Sequence, residues 1–215
     1  MSERYARIAF AGCAAVLAAA LGATTALAAA TWTIKPGGAV RAKSGKATVN
    51  DTTTGTTTTC LSLATRGTLK SGSGLSGPDA GSISAVGFNR CTSPLAEIRP
   101  RHVGIIWTFT ATDLPWHVTF SADNNGVVTG TISHLQITVQ TTACTAVIDG
   151  TSGTASDGVL RFRYTDSTSR LKLLSTGGNL HYYNVSGCFG VIVNGDVATL
   201  GATFTLSPKQ AITSP

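Results

Sequence analysis

Glutamate and methionine are almost missing from this 215-residue chain, which holds two Glu and one Met. Charged residues of both signs make up only 12%, while 42% are hydrophobic. A disordered charged tail needs the opposite balance and is excluded. The 24 glycines follow no three-residue period, so a collagen-like chain is excluded too. No C-x-x-C spacing occurs, which argues against a zinc ribbon and a thioredoxin-type redox site. After residue 30 no run of eighteen apolar residues is found, so the mature protein is expected to lack a membrane span.

Threonine is what the chain has in excess, at 34 residues. Thr and Gly are poor helix formers, whereas Thr suits a pleated, half-buried surface. The composition predicts an all-β protein.

The first thirty residues read as a signal peptide. Arg4 and Arg7 form a positive start, and an Ala-rich apolar run extends to Ala30. Small residues at Ala26, Ala28 and Ala30 fit cleavage after Ala28 or Ala30. The expected division is a signal segment over 1–30 and one secreted all-β domain over 31–215. Cleavage leaves 14 basic and 9 acidic side chains.

With Cys13 removed, Cys60, Cys91, Cys144 and Cys188 remain. An even number in an exported chain predicts two disulfides, with three possible connectivities. Thr58-Thr59-Cys60 resembles Thr142-Ala143-Cys144 in context, and Cys91 and Cys188 each follow a short apolar strand. The pairs Cys60–Cys91 and Cys144–Cys188 are therefore preferred, as one staple in each half of a degenerate repeat.

Period-two alternation dominates the patterning. Val103, Ile105, Trp107, Phe109 and Ala111 fall on one face of an extended run. Ala198, Leu200, Ala202, Phe204 and Leu206 do the same in another, and Leu135, Ile137 and Val139 in a third. Asp123-Asn124-Asn125-Gly126, Asp166-Ser167-Thr168 and Asn194-Gly195-Asp196 predict hairpin turns. Residues 190–193 are a strand candidate, and Gly72–Gly81 is expected to be the longest flexible loop. A dozen or so short strands at this spacing predict a single-domain β-sandwich or β-barrel.

Several blocks carry a resemblance. Trp32-Thr33-Ile34 with Pro36-Gly37-Gly38, Asp51–Thr56 and Gly67–Gly77 are the first of them. Leu114-Pro115-Trp116-His117, Gly177–His181 and Ser207–Gln210 complete the set. Together they resemble a family of secreted, Thr/Gly-rich all-β proteins from actinobacteria. The resemblance implies export and one all-β unit, and it brings no activity, ligand or catalytic residue.

Catalytic signals are weak. Ser76 lies in Gly74-Leu75-Ser76-Gly77-Pro78, which breaks the spacing of a nucleophile elbow. Glu97 is the one glutamate after the signal, and most aspartates sit in turn contexts, so the carboxylate pair of a glycosidase is not apparent. His102, His117, His134 and His181 show no metal-ligand spacing. No catalytic residue, metal or cofactor is assigned.

Two binding features remain. Trp32, Trp116, Tyr182 and Tyr183 are candidates for an exposed aromatic platform that stacks on sugar rings. Arg161 and Arg163 share one strand face, and Arg170 and Lys172 share the next, giving a basic strip. Such a strip can seat teichoic acid, another phosphate polymer or nucleic acid. Protection of a sheet edge against aggregation is the reading the sequence favours. No nucleic-acid motif accompanies the strip, so nucleic acid is not expected as partner.

The expected function is a non-catalytic secreted protein with a binding or structural role at the cell envelope, its partner a cell-wall polymer or glycan. A carbohydrate-binding module and an extracellular hydrolase are the alternatives. An inhibitory loop at Cys91-Thr92-Ser93-Pro94 is a further one.

Overall fold

The computed structural model describes residues 31–93, 105–153 and 155–214. The expected signal segment over 1–30, residues 94–104 with Glu97, His102 and Val103, and the part of the expected inhibitory loop beyond Ser93 lie outside them.

The chain is built from strands in the order β1 (Thr31–Lys35), β2 (Gly38–Ser44), β3 (Ala47–Asp51), β4 (Thr57–Leu69), β5 (Gly72–Ser76), β6 (Gly81–Ser93), β7 (Ile105–Thr112) and β8 (Trp116–Asp123). There follow β9 (Val127–Gln140), β10 (Thr145–Asp149), β11 (Gly158–Thr165), β12 (Arg170–Leu174), β13 (His181–Ser186), β14 (Ala198–Gly201), β15 (Thr203–Ser207) and β16 (Ala211–Thr213). Among the described residues the helical content is one 3-10 turn at Asp166–Thr168.

Eight strands close a barrel. Antiparallel pairing runs β2–β4–β6–β8–β9–β11–β12–β15 and returns from β15 to β2. The expectation of a sandwich or barrel thus resolves to a barrel, whose closure leaves no edge strand.

Three strands are longer than the rest: β4 and β6 have 13 residues and β9 has 14. Each leaves the barrel and continues into a second ring. There the order is β14–β3–β4–β6–β7–β9–β10–β13. Residues 195–198 close this ring against β13: Tyr182 N donates to Asp196 O at 2.8 Å and Ala198 N to Leu180 O at 2.9 Å. The molecule is therefore two stacked rings of strands that share β4, β6 and β9.

The run from Ala198 to Leu206 is predicted as one strand. Its apolar residues do face inward, but the strand breaks at Ala202, so that β14 serves the second ring and β15 the first. Leu135, Ile137 and Val139 line the core from β9, and Trp107 and Phe109 do so from β7. The turn at Asp123–Gly126 joins β8 to β9, with Gly126 N donating to Asp123 Oδ1. Asp166–Thr168 joins β11 to β12. Two expectations are corrected. Residues 190–193 form turns rather than a strand, so Asn194-Gly195-Asp196 is a loop turn. Gly72–Ser76 is strand β5, because Leu75 pairs with Trp32 of β1.

β16, β1 and β5 form a small sheet. Its Trp32 packs on Phe120 with ring centres 5.3 Å apart, and Ile212 lines a void inside the barrel. Tyr164 of β11 donates its hydroxyl to Gln210 O at 2.7 Å, tying this sheet to the barrel.

Both disulfides have the pairing that the matching contexts predict, Cys60–Cys91 and Cys144–Cys188. Each bond lies within its own half of the sequence, but in space they are not divided between the two rings. Cys60 and Cys91 are directly opposed on β4 and β6 beside β3, and Cys144 and Cys188 flank β10 and β13. Both belong to the second ring. No helix among the described residues is long and apolar enough to cross a membrane.

Candidate functional site

The barrel's first property is alternation. On β11, Leu160, Phe162 and Tyr164 point inward and are buried, so Arg161 and Arg163 point outward. On β12, Leu171 and Leu173 face the core and leave Arg170 and Lys172 exposed. The predicted strip over Arg161, Arg163, Arg170 and Lys172 forms, with Arg163 directly opposite Lys172 and Arg170 opposite Thr165.

Closure of the barrel enlarges it. β15 lies beside β12 and β2 beside β15. Arg41 and Lys43 are exposed on β2, and Arg66 on β4 stands directly opposite Arg41. One row reads Lys43–Thr205–Arg170, and the next reads Thr203–Lys172–Arg163. With strands about 4.8 Å apart, the five-strand face is about 20 Å wide. Its seven cations exceed the whole chain's formal net charge of +6. β2, β4, β11, β12 and β15 contain no carboxylate. Among the described residues the ion pair within salt-bridge distance is His117–Asp79, between β8 and the turn after β5, away from this face.

An open groove of about 580 Å³ adjoins this face where the two rings meet. Lys46 and Lys172 line it together with the hydroxyl residues Thr48, Ser175, Thr176 and Thr203. That volume lies within the usual range for a small-ligand site.

The edge-protection reading of the basic strip is corrected by the topology. β11 and β12 are each paired on both sides, so neither is an edge. Like charges placed directly opposite on adjacent strands are destabilising. Arg41/Arg66 and Arg163/Lys172 are two such pairs.

The aromatic platform does not form. Trp32, Trp116 and Tyr182 are 2%, 3% and 3% exposed, because each ring fills the core. Trp116 Nε1 donates to Thr112 O at 3.0 Å. Tyr183 is half-buried, lies over Gly153 and donates its hydroxyl to Thr151 O at 2.9 Å. These four residues do not share an exposed surface, so the expectation of a sugar-stacking platform is corrected.

The barrel interior offers little room. Two apolar voids of about 70 and 60 Å³ lie along it, lined by side chains such as Ala42, Ile83, Ile132 and Leu171. Ligand sites usually begin at about 300 Å³. The interior is a packed core.

Two groupings of titratable residues escape sequence reasoning. Asp51, 2% exposed, lies within hydrogen-bonding reach of buried Asp196. Thr53 N and Thr54 N donate to Asp51 Oδ1, while Oδ2 has no partner. Burial pushes the Asp51 carboxyl above its ordinary pKa, and the neighbouring Asp196 adds to the rise. Tyr182, beside them, is raised chiefly by burial and then by the two carboxyls. On the outside of the barrel, Asp79 Oδ1 accepts from His117 Nδ1 at 2.8 Å, and the His117 and His134 ring centres are 4.6 Å apart. Ser82 and Ser133 flank His117 in register, but Ser82 Oγ bonds Thr68 and Ser133 Oγ lies near His134. Among the described residues no hydroxyl hydrogen-bonds His117, the nucleophile–base contact that a hydrolase triad uses. Among the described residues no three His, Cys, Asp or Glu side chains converge as a metal cluster.

Comparison with protein-family models, with curated proteins and with solved structures yields no match.

Proposed function

We propose that this is an exported, non-catalytic protein that binds an anionic polymer of the cell envelope through the basic barrel face. The observation that carries the reading is the opposition of like charges, Arg163 to Lys172 and Arg41 to Arg66, on strands with no edge to protect. The fold bears a cost for these placements, and a polyanion seated across them removes it. Arginine forks suit phosphate oxygens, and the intervening Thr203 and Thr205 add hydroxyl donors. A phosphate polymer of the teichoic acid kind has this chemistry. The two disulfides fit an oxidising compartment, which favours an extracellular polymer over nucleic acid.

The test is retention on purified cell wall. The protein is expected to bind in low salt, to elute as salt shortens the screening length, and to be lost from walls stripped of phosphate polymer. Equal retention on stripped walls contradicts the reading.

A further inference from the structure

His117 and His134 meet by an unusual route. Strand β9 carries one extra residue against β11: Ile132 pairs with Leu160 and Leu135 with Gly158. Three steps on β9 match two on β11, which is a bulge. Ile132 and Leu135 both stay buried, so Ser133 and His134 both turn outward. His134 takes φ +59°, a left-handed conformation that is costly for a residue with a side chain. The bulge sets its imidazole beside His117 of the neighbouring strand β8.

The ring nitrogens are sorted. Asp79 accepts from His117 Nδ1 and fixes that proton there, leaving Nε2 as the electron-pair donor. This is the carboxylate–imidazole arrangement that supports metal-ligating histidines. His134 Nδ1 lies 3.5 Å from Ser133 Oγ. Neither Nε2 takes a hydrogen bond from or gives one to a described residue.

If both Nε2 atoms face one ion, the spacing of the rings bears on the class of metal. With metal–nitrogen bonds of about 2.0–2.1 Å, each imidazole centre lies about 3.2 Å from the ion. Ring centres 4.6 Å apart then subtend about 90° at the metal. A tetrahedral zinc site needs centres about 5.2 Å apart. An angle near 90° belongs to neighbouring positions of a tetragonal ion, for which copper(II) is the strongest binder of the divalent series. We propose that His117 and His134 form a surface copper(II) site, with Asp79 orienting His117 and water filling the remaining positions. The site lies outside β2, β12 and β15 and does not depend on the polymer-binding reading.

The folded, disulfide-bonded protein is titrated with copper(II) and followed by electron paramagnetic resonance. One tetragonal copper per chain, bound at micromolar concentration with imidazole nitrogen coupling, is expected. His117→Gln and His134→Gln each weaken binding at least about tenfold, and Asp79→Asn weakens it by about 10–100-fold. His181→Gln, on β13, leaves it unchanged. Circular dichroism of each variant confirms that the fold is kept. Affinity that survives His134→Gln, or no stoichiometric copper signal in the native protein, overturns the assignment.

Discussion

Arg163 stands directly opposite Lys172, its cross-strand neighbour in the middle of a closed barrel wall. Nothing in sheet assembly asks for two cations at that register, and each has Thr or hydrophobic alternatives of higher strand preference. Lys172→Glu turns repulsion into attraction, so it is expected to raise stability by about 0.2–1 kcal/mol in low salt. The same change places a carboxylate within the anion-binding face and weakens wall retention. Urea melts at low and high salt, run beside retention assays, separate the two effects. A stability loss in low salt contradicts the charge argument.

The buried Asp51–Asp196 pair predicts an acid-favoured fold. A carboxyl whose folded pKa lies above its unfolded value contributes fully below that unfolded value of about 3.9. The contribution is lost as pH rises through the raised folded pKa. Asp51 is raised by burial and by Asp196. Asp166 is raised by burial and then by Asp123, against a lowering bond from Ile212 N, and so has the same sign. Stability is expected to fall as pH climbs from about 4. Asp51→Asn keeps an acceptor for Thr53 N and Thr54 N and gains a donor toward Asp196. It should therefore flatten the slope. Chemical melts at a series of pH values decide, and an unchanged slope in Asp51→Asn refutes the assignment.

The disulfides are expected to matter unequally for dynamics. Each closes a loop of 31 or 44 residues, and loss of either costs about 3–4 kcal/mol. Cys188 also anchors the loop that leads into residues 195–198, which complete the second ring. Replacing Cys144 and Cys188 with Ala should raise amide exchange at Tyr182 and Ala198. Replacing Cys60 and Cys91, which sit on long paired strands, should leave exchange at those two amides much less affected.

Gly130 of β9 faces the barrel interior, where an added Cβ would meet Thr119 O and the Phe162 ring. Gly130→Ala is expected to destabilise by about 1–3 kcal/mol. Gly87→Ala meets nothing closer than Ala64 O at 4.0 Å and should stay within about 0.5 kcal/mol of the native protein. Thermal melts of the two variants test the packing.

Much of the fold is legible in the sequence because strand alternation is a local property. Leu160, Phe162 and Tyr164 announce an inward face, and Arg161 and Arg163 must then point out. The β11–β12 hairpin follows from its turn. Partnership between distant strands is another matter. Arg41 and Lys43 alternate on β2 as plainly as Arg161 and Arg163 do on β11, but only barrel closure through β15 joins them into one face. The same closure removes the sheet edge that the strip seemed to protect. Trp32 and Tyr182 sit in strands whose burial depends on the small sheet and the second ring, which local pattern does not specify. The meeting of His134 with His117 is not legible, because it needs both the pairing of β8 with β9 and the bulge between Ile132 and Leu135, neither of which a local alternation specifies.

The most direct test is the salt dependence of binding to a soluble, phosphate-bearing wall polymer. The native protein is compared with a variant carrying Arg41→Gln, Arg66→Gln, Arg163→Gln and Lys172→Gln. Affinity of the native protein should fall steeply and linearly on a log–log plot against salt, and the variant should bind more weakly with a shallower slope. Equal affinity and equal slope for the two proteins would show that the basic face does not hold the polymer.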